Sequence, residues 1–266
     1  MDGPPSTDFW AAMFDSVADR YDQSGVPFFA TIAEGLVDRV GPRPGEHVLD
    51  VGAGRGAATL RLAERVGPMG RVRAIDVSER MVALLGEAVA DPRWGHVRVE
   101  VGDALIPPPG PYDVVCASLV LFFLPDPVAG LAAWREVLAP GGRIGISTFA
   151  PWPAGMQEVT EVLESYRPAD VPSSAQMPPA FATDPSVEGL FHSAGLADVR
   201  TERATYDVPF TDVQQWRAWS MGTALRGLWA HVPPEKVSEA LDRVATLLAA
   251  RDNRLQVDIR YTLARG

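Results

Sequence analysis

Cysteine is almost missing from these 266 residues: Cys116 stands alone, so no intramolecular disulfide can form and no cysteine cluster can hold zinc. Lysine is equally scarce. Lys236 is the one lysine among 24 basic residues, the rest being scattered arginines that read as solvated surface. Basic charge is also outnumbered, because 34 acidic residues leave a net charge of −10. That balance excludes routine binding to phosphate backbones, which depends on neutralising phosphates with Lys and Arg. No apolar run approaches the ~20 residues of a membrane span. The start, MDGPPSTDFW, lacks the charged and apolar regions of a secretory signal. The expectation is a cytoplasmic globular protein that holds no metal.

What is present is regular alternation. Residues 48–51, 71–76, 97–101, 112–117 and 143–149 are apolar runs of strand length. Between them, 57–66, 79–89 and 127–138 carry helical spacing, and Ser78 stands as an N-cap. Such alternation predicts an α/β fold, a mainly parallel sheet with helices on both faces. Two amphipathic helices, 9–20 and 28–40, precede it. A proline-rich stretch, 150–182, reads as irregular. Then follow a helix over 184–194 ended by Gly195, a strand over 196–208, helices within 211–251 and a last strand over 255–263.

The sharpest chemical feature is Val48-Leu49-Asp50-Val51-Gly52-Ala53-Gly54-Arg55-Gly56, a strand running into three alternate glycines before a helix. Glycine permits a tight turn and close approach of a ligand to the backbone. The helix behind offers free N–H groups. Asp76 ends the next strand, 20 residues past Gly56, where a carboxylate can accept from both hydroxyls of a ribose. Together they predict an adenosine-type ligand. The Gly-x-Gly-x-Gly spacing differs from that of dinucleotide binders, and no Lys-Ser/Thr follows as in a P-loop.

The chain resembles the class I S-adenosylmethionine-dependent methyltransferases, nearest the ubiquinone/menaquinone and natural-product tailoring group. VLDVGAGRG, AIDVSERM, VGDA, YDVVCASLVLFFLPD and LAPGGRIGIS match its motifs in order, within residues 14–150. The resemblance implies a Rossmann-like seven-stranded sheet with an antiparallel last strand, plus a helical substrate cap. It divides the chain into a lid (1–45), a cofactor-binding core (46–150, completed by 184–210 and 253–266) and cap insertions (151–183 and 211–252). It implies that S-adenosylmethionine is held by Asp50 and the loop Gly52, Ala53, Gly54, Gly56 at its methionine moiety. Asp76 would hold the ribose, Val77 and Met81 the adenine, and Asp103, with Gly102 and Ala104, the adenine amino edge. Ser118 and Leu119 would lie under the sulfonium, and Tyr21 would close over the cofactor carboxylate.

Where many relatives place a histidine pair after the fourth strand, this chain has Phe122-Phe123. His47 and His96 precede strands, at the end opposite the ligand, and His192 sits near a helix end. His231 is thus the candidate base, with Glu158, Glu161, Asp184, Tyr166 and Tyr206 unranked beside it. Phe122, Phe123, Trp152, Trp216, Trp219 and Trp229 are candidate walls of an apolar acceptor pocket, because ligand sites are mostly apolar and aromatic. The expected activity is methyl transfer to a lipophilic small molecule such as a polyketide or terpenoid, by a monomer or homodimer. The alternatives are quinone C-methylation, a cyclase or isomerase using S-adenosylmethionine structurally, and a non-catalytic binding module.

Overall fold

A computed structural model describes residues 6–171, 173, 178–223 and 225–266. Residues 1–5 of the expected lid, and 172, 174–177 and 224 of the expected cap, lie outside the described residues. The helices are α1 (Thr7–Val17), α2 (Phe28–Val40), α3 (Thr59–Val66), α4 (Glu79–Ala88), α5 (Pro127–Glu136), α6 (Ala154–Glu164), α7 (Asp184–Ser193), α8 (Val213–Met221), α9 (Arg226–Trp229) and α10 (Val237–Ala249). The strands are β1 (His47–Val51), β2 (Arg71–Asp76), β3 (Val97–Val101), β4 (Tyr112–Ser118), β5 (Leu138–Phe149), β6 (Ala197–Pro209) and β7 (Arg254–Arg265).

These strands form one seven-stranded sheet in the order β3-β2-β1-β4-β5-β7-β6, with β7 antiparallel to both neighbours. The order in which strands are added reverses between the parallel neighbours β1 and β4, whose carboxyl ends open the crevice where such sheets bind ligands. Local chemistry sets many boundaries. Ser78 caps α4 by accepting from the Met81 N–H at 3.0 Å, and Asp126 caps α5 ahead of Pro127. Gly41 ends α2 in the left-handed conformation.

Two apolar layers cover the sheet. Val48, Val114, Cys116, Ile259 and Tyr261 face α2, α3, α6, α8 and α10, while Leu49, Val51, Val115, Ile144 and Ile146 face α5 and α7. Cys116 is buried in β4, and burial pushes its thiol up, away from the reactive thiolate. The proline-rich stretch departs from expectation. Pro151 and Pro153 precede a regular helix, α6, whose Met156, Val159 and Leu163 are buried. Proline is compatible with the entry to a helix, and here it marks one. Strand β5 also begins five residues earlier than its apolar run, because Leu138 pairs with Tyr112 before a bulge.

Candidate functional site

Three glycines turn the chain out of β1, with φ of +66° at Gly52, +53° at Gly54 and +93° at Gly56, a region side chains rarely adopt. They serve different purposes. A Cβ on Gly52 would lie 2.4 Å from Val120 Cγ2, and one on Gly56 would lie 2.4 Å from Leu85 Cδ1, so both admit close packing. A Cβ on Gly54 would meet nothing within 4 Å, so this backbone faces open space. Ala53 is buried and its N–H donates to the Ile75 carbonyl at 2.9 Å, which ties the loop to β2.

Asp50 lies beneath this loop, 1% exposed, with one carboxylate oxygen accepting from the Thr59 hydroxyl at 2.6 Å and the other unpartnered. Burial pushes its carboxyl up to about 7. The folded chain therefore favours the protonated form, and the charge costs stability progressively as pH rises from about 4 towards 7, about 1.4 kcal/mol per unit. In the cofactor-free protein, Asp50→Asn is expected to melt several degrees higher than the parent near pH 8, with the gap narrowing towards pH 5 and closing near pH 4. Melting curves that run parallel across that range would refute the assignment.

At the end of β2, Asp76 accepts from the Gly54 N–H through Oδ2 (2.8 Å) and from the Ser78 N–H through Oδ1 (2.9 Å). A carboxylate has about four lone-pair sites, so each oxygen keeps capacity for one more donor. Burial raises its pKa. Asp103 follows β3 and accepts from the Leu105 N–H (2.8 Å) and from the Thr7 hydroxyl of α1 (3.2 Å). At the end of β4, Leu119 has φ of +59°, uncommon for a branched side chain. Its N–H is held by both the carbonyl and the hydroxyl of Ser147 at 3.1 Å, and the Ser147 hydroxyl also bonds that of Ser118 at 3.1 Å.

These ends enclose a cleft with an empty volume of about 760 Å³, including its open mouth. Tyr21, Gly52, Gly54, Asp76, Val77, Met81, Gly102, Asp103, Ala104, Ser118, Leu119 and Phe123 all line it. Asp50, Ala53 and Gly56 do not; they shape the loop from behind. Sequence reading missed Thr7, Trp10 and Phe14 of α1, which roof the cleft. Trp10 and Phe14 stand edge-on to Phe123, with ring centroids 4.7 and 5.4 Å away. Their signal, two aromatics four apart beside FDSVADRYD, reads in sequence as ordinary amphipathy.

Helix α1 has no fully buried residue, and polar contacts fasten it. Asp15 accepts from the Ser78 hydroxyl at 2.5 Å, Arg80 pairs with Asp19, and Arg55 of the glycine loop donates to the Ala18 carbonyl at 3.0 Å. Tyr21 stacks on Phe29 at 4.7 Å, and burial pushes its phenol up.

The tryptophans expected at the acceptor wall lie elsewhere. Trp216, Trp219 and Trp229 are buried at 0, 4 and 8% exposure in the layer of α2, α8 and α10. Trp152 packs half-buried against the same layer, and Phe122 sits one ring behind Phe123. His231 follows α9 and is not on the cleft wall. The other candidate bases are engaged away from the cleft: Glu158 with Arg251, Tyr166 with Glu239, Tyr206 with Tyr261 and Asp184 with Arg203 and Arg260, while Glu161 faces solvent. Among the described residues no group of His, Cys, Asp and Glu could hold a metal ion, and no helix is long and apolar enough to cross a membrane.

Comparison with known proteins agrees with this geometry. A family described as a methyltransferase domain matches residues 48–142. The chain is similar to nocamycin O-methyltransferase of Saccharothrix syringae, 35% identical over 238 residues, covering 84% of this chain and 85% of that one. It is 37% identical over 137 residues to aklanonic acid methyltransferase DauC of Streptomyces sp. (strain C5), covering 51% of this chain and 62% of that one. Among solved structures, the [4+2]-cyclase SpnF shares the fold, with a TM-score of 0.61 at 18% identity over 100% of this chain and 97% of that one.

Proposed function

We propose, for a chain that belongs to the S-adenosylmethionine-dependent methyltransferases, that it methylates a lipophilic small molecule held under α1. The observation that carries this reading is the continuity of one cleft. Its polar end is built by the glycine loop, Asp76 and Asp103, and its aromatic end by Trp10, Phe14, Phe123, Leu124 and Pro125. Two curated relatives named for methylating nocamycin and aklanonic acid support an acceptor of the natural-product kind.

The polar end fits the cofactor. Asp76 has spare acceptor capacity for the two ribose hydroxyls, and the open face of Gly54 admits a ligand against the backbone. Asp50, behind the loop, would act on the methionine moiety by supporting the backbone that meets it. Val77 and Met81 would pack on the adenine, and Asp103 would meet its amino edge. When bound, S-adenosylmethionine supplies a methyl group on a positively charged sulfur. The chain's own work is then to hold the acceptor close, aligned and dry. Leu119, fixed by Ser147, forms the floor, and α1 excludes water from above.

Calorimetry with S-adenosylhomocysteine, followed by mass analysis of products from lipophilic acceptors, tests the reading. Binding, and a product heavier by one methylene unit, are expected. No binding at millimolar cofactor would overturn it, and a product of unchanged mass would move the protein to cyclase chemistry.

A further inference from the structure

We infer that the acceptor presents an oxygen already anionic at neutral pH, a carboxylate or comparably acidic enol, and that the Trp10 indole N–H holds it. The inference rests on the methyltransferase reading and deepens it.

A nucleophile that carries a proton must lose it in the transition state, and a positioned base takes it. Among the described residues, the titratable ones on the cleft wall are Tyr21, Asp76 and Asp103. Asp76 and Asp103 each accept two hydrogen bonds already and belong to the polar end. The Tyr21 phenol, pushed up by burial, stays protonated. No histidine lines the cleft among the described residues: His47 opens β1 at the amino end of the strand, opposite the cleft, His96 bonds the Ala63 carbonyl, His192 lies in α7 and His231 follows α9. An acceptor with a phenol-like pKa of about 10 would find no free base among the described residues of the wall to receive its proton, whereas a carboxylic acid near 4 arrives without one.

Burying that anion is costly unless a donor meets it. Trp10 lines the aromatic end, and its Nε1–H is buried with no acceptor. Trp216 and Trp219 also have unpartnered indole nitrogens, but neither lines the cleft. An indole only donates, so it cannot accept from a neutral hydroxyl or serve as a base. It suits an oxyanion. In the transfer, a lone pair of the acceptor oxygen forms the O–CH3 bond while the sulfur keeps the electron pair of the bond it loses. No proton moves, and an anion and a cation become two neutral products. The ester accepts from Trp10 more weakly than the carboxylate did, which favours release.

The test uses the protein loaded with S-adenosylhomocysteine and three probes of one shape: 2-naphthoic acid, 2-naphthol and 2-naphthamide, titrated calorimetrically. The acid is expected to bind about tenfold more tightly than either neutral probe, as a charge-assisted hydrogen bond predicts. Trp10→Phe, which keeps a ring against Phe123, is expected to bring the acid-over-amide ratio close to one. With S-adenosylmethionine supplied in place of S-adenosylhomocysteine, the methyl ester should form at a rate flat over roughly pH 6 to 9, where a phenol's rate would climb as it ionises. An acid that binds no better than the naphthol, or an acid-over-amide ratio unchanged in Trp10→Phe, overturns the proposal. Binding of S-adenosylhomocysteine in the same cell separates the two readings: its absence overturns both, and its presence without acid preference overturns only this one.

Discussion

Replacing Asp76 with alanine is expected to weaken S-adenosylhomocysteine binding by about a hundredfold or more, while the protein stays folded. The carboxylate ends β2 and keeps one acceptor site on each oxygen after taking the Gly54 and Ser78 N–H groups. Two hydroxyl bonds to a carboxylate contribute about 1.5–3 kcal/mol each, and every 1.4 kcal/mol is a factor of ten. Alanine also leaves two backbone N–H groups without that acceptor, about 1–3 kcal/mol each, a loss offset in part because it removes a carboxylate whose ionisation burial opposes. Asp76→Asn should fall between, since one oxygen remains. Binding should also weaken as pH falls through the raised pKa of Asp76, because hydroxyl donors favour its ionised form. Calorimetry reads the affinity and thermal melts the fold; an affinity within threefold of the parent would remove Asp76 from the cofactor site.

Asp76 was legible because its geometry is short-range. A strand, a glycine turn and the end of the next strand lie within about thirty residues, and the parallel pairing of β1 with β2 brings their ends together. The same holds for Gly52, Gly54, Asp103 and Ser118, each at the carboxyl end of a strand visible as an apolar run. A lid over 1–45 was expected, but the residues of α1 that roof the cleft were not legible. Thr7 reaches Asp103 across 96 positions, and nothing in the spacing of α1 says which loops its aromatics cover. Trp216, Trp219 and Trp229 show the opposite failure. Aromatic content marks apolar surroundings, but a packed core and a ligand wall are equally apolar, and only burial separates them. The helix α6 was hidden because proline density was read as irregularity rather than as helix entry.

Arg260 lay beyond sequence reading for a related reason: in LQVDIRYTL it occupies a polar step of an alternating strand, and polar steps usually face water. Here both faces of β7 are covered, and Arg260 is 0% exposed. Its Nε donates to Asp184 at 2.5 Å, and its Nη1 fans across the carbonyls of Phe149 and Phe181 (both 3.1 Å) and the Thr148 hydroxyl (3.3 Å). One guanidinium thus clamps the end of β5, the turn at Phe181 and the start of α7. Asp184 is desolvated by burial, yet Arg203 and Arg260 together hold its carboxyl below the usual range. A depressed acid stabilises above its unfolded pKa, so this contribution is present at neutral pH and lost as pH falls through the lowered value. Arg260→Met fills a similar volume but leaves three oxygens without their donor, and Asp184 with Arg203 alone. The expected loss is about 3–5 kcal/mol, a melting temperature lower by roughly 10 °C at neutral pH. Arg260→Lys should recover little, since one ammonium cannot span acceptors on three elements. Phe181 packs edge-on to Phe122, 6.1 Å between centroids, and Phe122 backs Phe123 on the cleft wall. The arginine variants should therefore weaken acceptor binding more than S-adenosylhomocysteine binding, because the clamp supports the aromatic end and the cofactor loops stand on β1, β2 and β3. Equal losses for both ligands would show instead that the clamp supports the sheet as a whole.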